Sequence, residues 1–347
     1  MRVTVVGAGA IGGVVGAFLQ RAGHEVMLVD RDAAHVAAVQ DPGLRIDGTV
    51  DIVEKMHAIT PDQLGDYVRD TGKLGMVVLA TKAMDTEAAT AQIAPYLAGD
   101  GFILSYQNGL NEETISRIVG PERTVGAFIH FGSDLLEPGH LRLGYVVPTY
   151  ISELDKRHTE RIQMIADVMS AVTPVEITDN LEGYLWGKLC YAALAFAVSN
   201  VDAPIDEIIT QPVARVAIRG VCAEVDDVGH AQGYTLENIH GFDPNLFDRN
   251  NRNRIEETNA YLDRWAEEGR KAIKRHMGIH RDIKFKHRRT EVDFHVGPVV
   301  ERGQALGIPT PLCAQLVEIT HQVETGRRPQ DWTTIEELGA AAKAFTD

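Results

Sequence analysis

The sequence predicts an α/β fold in the first half of the chain and an all-helical one in the second. Three observations predict it. Residues 2–6 form a β-branched run, followed by Gly7, Gly9 and Gly12 in G-x-G-x-x-G spacing and then by a helical stretch. Short apolar runs alternate with helical ones to about residue 150, and from about Asp179 the apolar period is helical throughout. The expected domains are 1–178 and 179–347, each long enough to bury a core.

The opening residues, MRVTVVGAGAIG, set the frame. The β-branched run suits a buried strand. Gly7 permits a tight turn, Gly9 leaves room for a pyrophosphate, and Gly12 lets the following helix pack closely on the strand; Ala10 and Ile11 complete the loop. The helix N-terminus then offers free N–H groups and a partial positive charge to an anion. The helix should run to about Ala22, with Gly23 stopping it. The run EVMLV, 25–29, is a second strand. It ends at Asp30, 18 residues beyond Gly12, near where an acidic side chain meets an adenosine ribose. Strand, glycine turn, helix and acid together predict a Rossmann-type dinucleotide-binding unit.

After Arg31 a helix is expected over 33–39. Residues 44–47 and 50–53 pair as strands across Gly48. Residues 75–81 form a buried strand ending at Lys82, with a helix over 86–96. The strand 102–105 runs into Gln107-Asn108-Gly109, and a helix covers 114–119. The period then changes: 124–131 and 144–151 alternate as strands, with a Pro138-Gly139 turn between them. The whole reads as a doubly wound sheet with an antiparallel extension. Asp30, Lys82 and Asn108 end three of its strands, where open α/β sheets bind ligands, so they belong near the dinucleotide. The plainer reading of Lys82 is a solvated lysine at a helix start, and of Asn108 a turn residue in an Asn-Gly pair.

In the second half Asn180 caps a helix to about Asn200. Its apolar stripe is Leu181, Tyr184, Leu185, Ala192, Ala195 and Phe196, with Lys188 inside it. A lysine on a buried face is costly unless paired or functional. Further helices are expected over 213–228, 256–274 and 311–324. Thr290 reads as the N-cap of a helix through Leu306, with Glu291 in its first turn.

Composition narrows the function. Hydrophobic residues make up 44% and charged ones 24%, the balance of a soluble globular protein. No apolar run reaches transmembrane length, and the chain enters a strand directly, without a signal peptide, so a cytoplasmic protein with no membrane role is expected. The net charge of −15 argues against nucleic acid. Cys190, Cys222 and Cys313 show neither metal-ligand nor disulfide spacing and read as core residues; no metal is expected. Between Asp248 and Arg289 thirteen Lys/Arg face seven Asp/Glu, a local excess of six positive charges. That stretch reads as a solvated helical face with i,i+4 pairs or as a guide for an anion. A nicotinamide enzyme that reduces a ketone needs an acid for the developing alkoxide. Lys188 suits it, since burial brings a lysine pKa toward neutrality. Glu291 is placed to orient or retune it across an interdomain cleft.

GAGAIG, Thr81-Lys82, Gln107-Asn108-Gly109, Leu185-Trp186-Gly187-Lys188-Leu189, Thr290-Glu291-Val292-Asp293 and Gly307-Ile308-Pro309-Thr310-Pro311 together resemble the ketopantoate reductase family. The resemblance covers nearly the whole chain in order. It implies a Rossmann domain joined to an all-helical domain with the active site between them. It implies Lys188 as general acid, Glu291 assisting in the substrate pocket, and Lys82 and Asn108 contacting the cofactor and the reacting centre. The expected function is hydride transfer between NAD(P)H and a small anionic 2-oxo or 2-hydroxy acid, in a homodimer. The alternatives are true 2-dehydropantoate 2-reductase activity and a non-catalytic dinucleotide sensor.

The departures point to the substrate. Ala192 and Phe196 stand where ketopantoate enzymes carry asparagines, and Gly278 stands where they carry a serine, with His280 and Asp282 close by as candidate substrate-binding residues. Residues 282–291 run one longer than the usual pattern, and 236–275 reads as an insertion. The family usually prefers NADPH, with a basic residue after the second strand. Here Asp30 favours NAD, while Arg31 leaves NADP open.

Overall fold

The computed structural model describes residues 1–271 and 275–344. The chain divides into two compact units, Met1–Leu181 and Glu182–Asp347.

The first unit holds twelve strands: β1 (Arg2–Val6), β2 (Glu25–Val29), β3 (Leu44–Gly48), β4 (Ile52–Glu54), β5 (His57–Ile59), β6 (Leu74–Leu79), β7 (Leu97–Ser105), β8 (Thr124–Phe128), β9 (Phe131–Glu137), β10 (His140–Val146), β11 (Thr149–Glu153) and β12 (Val175–Ile177). The main sheet runs β12-β11-β8-β7-β6-β1-β2-β5, and a smaller one runs β4-β3-β10-β9. From β5 to β8 all neighbours are parallel. The winding goes outward from β1 through β2 to β5 and, on the other side, from β6 to β8. The switch point therefore lies at the carboxyl ends of β1 and β6, where such sheets bind ligands. Separate apolar cores cover the two faces. Val3, Val5, Val14 and Leu28 belong to one, and Val6, Met27, Val77 and Leu79 to the other. Burial on both faces explains why β1 is β-branched without a break from Val3 to Val6.

Two expected strands are each divided. The stretch 124–131 breaks at Ile129-His130 and 144–151 at Val147-Pro148. The outer pieces, β8 and β11, pair antiparallel in the main sheet, while the inner pieces, β9 and β10, form a hairpin over Pro138-Gly139 and reach β3. Pro148 supplies no N–H for a continuous ladder. Gly139, at φ +77°, makes the turn. β5, β12 and the helices Leu64–Thr71 and Glu160–Met169 stand outside the elements expected from the sequence. Three residues of strand are too few to show a period.

The second unit is helical among its described residues: Leu181–Ser199 (its first residue closes the sheet unit), Ile205–Ile208, Pro212–Ala231, Arg254–Lys271, Gly278–Lys284, Val292–His295, Gly297–Leu306, Pro311–Glu324 and Trp332–Ala344. The Leu181–Ser199 helix is no simple stripe. It is buried all round except at Glu182, Tyr184, Lys188 and Tyr191, so Lys188 lies on its one partly exposed face. The helix expected from Thr290 to Leu306 is two helices, divided at Val296 by Gly297-Pro298. The expected end of the charged helix, Lys274, lies outside the described residues. Aromatics between residues 236 and 271 pack on the lysine helix: Tyr191 meets Phe242 at 5.4 Å and Trp265 at 6.3 Å between ring centroids. Among the described residues no helix is long and apolar enough to cross a membrane.

Candidate active site

The glycine loop separates fold from ligand. Gly7, at φ +88°, would put a Cβ 2.8 Å from the Thr81 backbone nitrogen, and a Cβ on Gly12 would lie 1.9 Å from the Gly7 carbonyl oxygen. The fold itself demands both. A Cβ on Gly9 would meet nothing within 4 Å, so no neighbour in the chain requires glycine there. Ala10 and Ile11 are partly exposed beside it, and the Gly12–Arg21 helix has no side-chain cap. An open cradle over an uncapped helix N-terminus fits a pyrophosphate.

The strand ends are fixed by side-chain hydrogen bonds. Asp30 accepts the Ala8 N–H on one oxygen at 2.8 Å and the Asp32 N–H on the other at 2.9 Å. Arg31 is drawn to Asp85 at 3.0 Å. Gln107 donates its amide to Thr81 and Thr86, and Asn111 donates to the Asn108 carbonyl at 2.8 Å. This network ties the loop after β6, with exposed Lys82, to the loop after β7, with Asn108. Sequence reasoning missed His35. Its Nδ1 accepts the Gly139 N–H at 3.0 Å, so Nε2 carries the proton and donates to the Ala8 carbonyl at 2.9 Å. Buried His35 thereby pins the glycine loop to the hairpin tip, through bonds spanning up to 104 residues that no local pattern announces.

In the helical unit Lys188 interacts electrostatically with Glu291 and His295. Burial pushes its pKa down to about 7, and the Glu291 carboxylate opposes that shift. Lys188 and Glu291 both belong to this unit, so their pairing corrects the expectation of one across an interdomain cleft. Glu291 stands at the N-cap of Val292–His295 rather than in its first turn, and its side chain bonds no helix N–H there; Thr290 Oγ1 accepts the Val292 N–H at 3.4 Å. Ala192 and Phe196, one and two turns beyond Lys188, are buried. His280 is 3% exposed; its Nε2 lies 3.0 Å from Asp202 Oδ1, and its Nδ1 has no partner among the described residues. Asp282 turns to Lys286 at 3.5 Å. Several cations of the basic stretch are paired: Arg249 with Asp227, Arg275 with Asp206, Lys284 with Asp202 and Arg289 with Asp293. The three cysteines are free and buried.

Comparison with known proteins decides the family. The model of ketopantoate reductase PanE/ApbA matches residues 3–156, and that of its C-terminal part matches 180–324. The chain belongs to the ketopantoate reductase PanE/ApbA family. It is a ketopantoate reductase-like oxidoreductase that acts on CH–OH groups with NAD(P). A 2-dehydropantoate 2-reductase of Streptococcus pyogenes serotype M3 is 25% identical over 327 residues, 93% of this chain and 98% of that one. A 2-dehydropantoate 2-reductase of Archaeoglobus fulgidus is 26% identical over 331 residues, 94% of this chain and 98% of that one. Among solved structures, a PanE/ApbA family ketopantoate reductase from Ralstonia eutropha JMP134 is 27% identical with TM-score 0.77, covering 94% of this chain and 99% of that one. The fold is shared too with a D-mandelate dehydrogenase solved with NADH and anilino(oxo)acetate, at 22% identity and TM-score 0.79, covering 94% of this chain and 99% of that one.

Proposed function

We propose that this chain reduces small 2-oxo acids with an apolar side, using NADH, and that ketopantoate is a poor substrate. One observation carries the reading: Lys188, with a pKa near 7, shares its helix with buried Ala192 and Phe196 where ketopantoate enzymes present amides. The dinucleotide supplies the hydride. The Lys188 ammonium gives its proton to the ketone oxygen and, in reverse, the amine takes it from the hydroxyl. Glu291 keeps part of the lysine population charged against its burial. Gly9, with Ala10 and Ile11, leaves the loop backbone open to the pyrophosphate, and Lys82 and Asn108 meet the cofactor from the strand ends. Asp30, held by two backbone N–H groups, accepts from a ribose 2′-hydroxyl and repels a 2′-phosphate, while Arg31 is drawn aside by Asp85. The D-mandelate dehydrogenase structure, which contains NADH, is consistent with this preference. His280 offers Nδ1 to the acid's carboxylate, with Asp282 nearby. The enzyme works as a homodimer in the cytoplasm.

Ketopantoate's own polar groups would go unpaired against Ala192 and Phe196, at about 1–3 kcal/mol each. The test is steady-state kinetics with NADH and NADPH on ketopantoate beside bulkier, more apolar 2-oxo acids. We expect weak or no turnover of ketopantoate and a higher kcat/KM with NADH. The highest kcat/KM on ketopantoate would restore 2-dehydropantoate 2-reductase activity, which the full-length relatives favour. Dinucleotide binding without turnover of any acid would support a sensor.

A further inference from the structure

We infer that His295 is a substrate-contacting specificity residue, whose Nε2 meets an oxygen of the bound 2-oxo acid in place of the amides absent at Ala192 and Phe196. The inference rests on the proposed reading of this site as a 2-oxo acid reductase.

His295 closes the short Val292–His295 helix, and its N–H donates to the Glu291 carbonyl at 3.1 Å. Residues four apart share a helix face, so the imidazole lies one turn along from the Glu291 side chain. Its ring meets Phe196 edge to face, with centroids 5.9 Å apart and planes at 89°. Phe196 lies two turns beyond Lys188 on the long helix, so the histidine packs onto the wall that carries the lysine. Nε2 is buried and has no hydrogen-bond partner among the described residues. A buried ring nitrogen without a partner is uncommon and asks for one from outside the chain. Burial, helped by the Lys188 charge and opposed by Glu291, lowers the ring's pKa. The neutral ring then has one N–H to offer, without adding a second positive charge beside the lysine. With that N–H on Nε2 it donates to a carboxylate or ketone oxygen. The remaining wall, Ala192 and Phe196, takes the acid's apolar side.

Two variants separate recognition from packing. His295→Leu keeps the apolar contact with Phe196 and removes the nitrogen; His295→Gln returns an amide at about the reach of Nε2. Each is measured for kcat and KM with the best acid of the panel, for NADH affinity and for Tm. We expect His295→Leu to lower kcat/KM about 10- to 100-fold, mostly through KM, with NADH affinity and Tm unchanged, and His295→Gln to recover most of the loss. An unchanged kcat/KM in His295→Leu overturns the inference and leaves the 2-oxo acid reading standing. So does an equal loss in both variants accompanied by a lower Tm. A wild-type protein that turns over no 2-oxo acid overturns the inference and the reading beneath it together.

Discussion

Gly9 and Lys188 are held in opposite ways by their surroundings. Around Gly9 the sheet unit leaves an open space that nothing in the chain fills. Around Lys188 the helical unit does the reverse, surrounding an ammonium with enough protein to lower its pKa to about 7. On the proposed function, one unit serves a ligand by what it leaves out, and the other prepares a proton donor by keeping a charge where burial disfavours it. Cofactor binding and proton transfer should accordingly fail separately.

Gly9→Val breaks the first half of that contrast and carries the largest expected effect. A β-branched side chain would occupy the pyrophosphate's space, so a fluorescence titration should show no NADH binding. Because a Cβ there meets no atom of the chain within 4 Å, the fold should survive with an unchanged Tm. Wild-type affinity in this variant would refute the cradle. Lys188→Ala breaks the second half. The chemical rate should fall by roughly 10²–10⁴, the span for a positioned acid, with NADH affinity intact. Near wild-type single-turnover rates on the best acid would remove Lys188 from the mechanism.

The two units also differ in how far the sequence discloses them. Glycine spacing, the β-branched run before it and the acid after the second strand are local, so the glycine loop and the place of Asp30 are readable directly. Helical spacing around Lys188 is readable too, but not its meaning. Apolar residues surround that helix almost completely, so the stripe overstates its amphipathicity, and Glu291 is tied to the lysine chiefly by the family resemblance. His295 lies four residues after Glu291, a spacing that helical geometry makes significant, yet the signal is plain only once Gly297-Pro298 is seen to end the helix there. His35 joins residues far apart in the chain through backbone atoms, which carry no side-chain identity to read. The Pro138-Gly139 turn between β9 and β10 is readable, but the division of these strands from β8 and β11 is not, because two sheets share one alternating stretch.

The pH dependence of turnover in both directions tests the role of Lys188 most directly. Reduction needs the ammonium as donor, and oxidation of the 2-hydroxy acid needs the amine as acceptor. With a pKa near 7, kcat/KM for reduction should hold below about pH 7 and fall tenfold per unit above it. For oxidation it should rise through the same pH and level off above it. Profiles flat between pH 6 and 9 in both directions, or the same limb persisting in Lys188→Ala, would contradict the account.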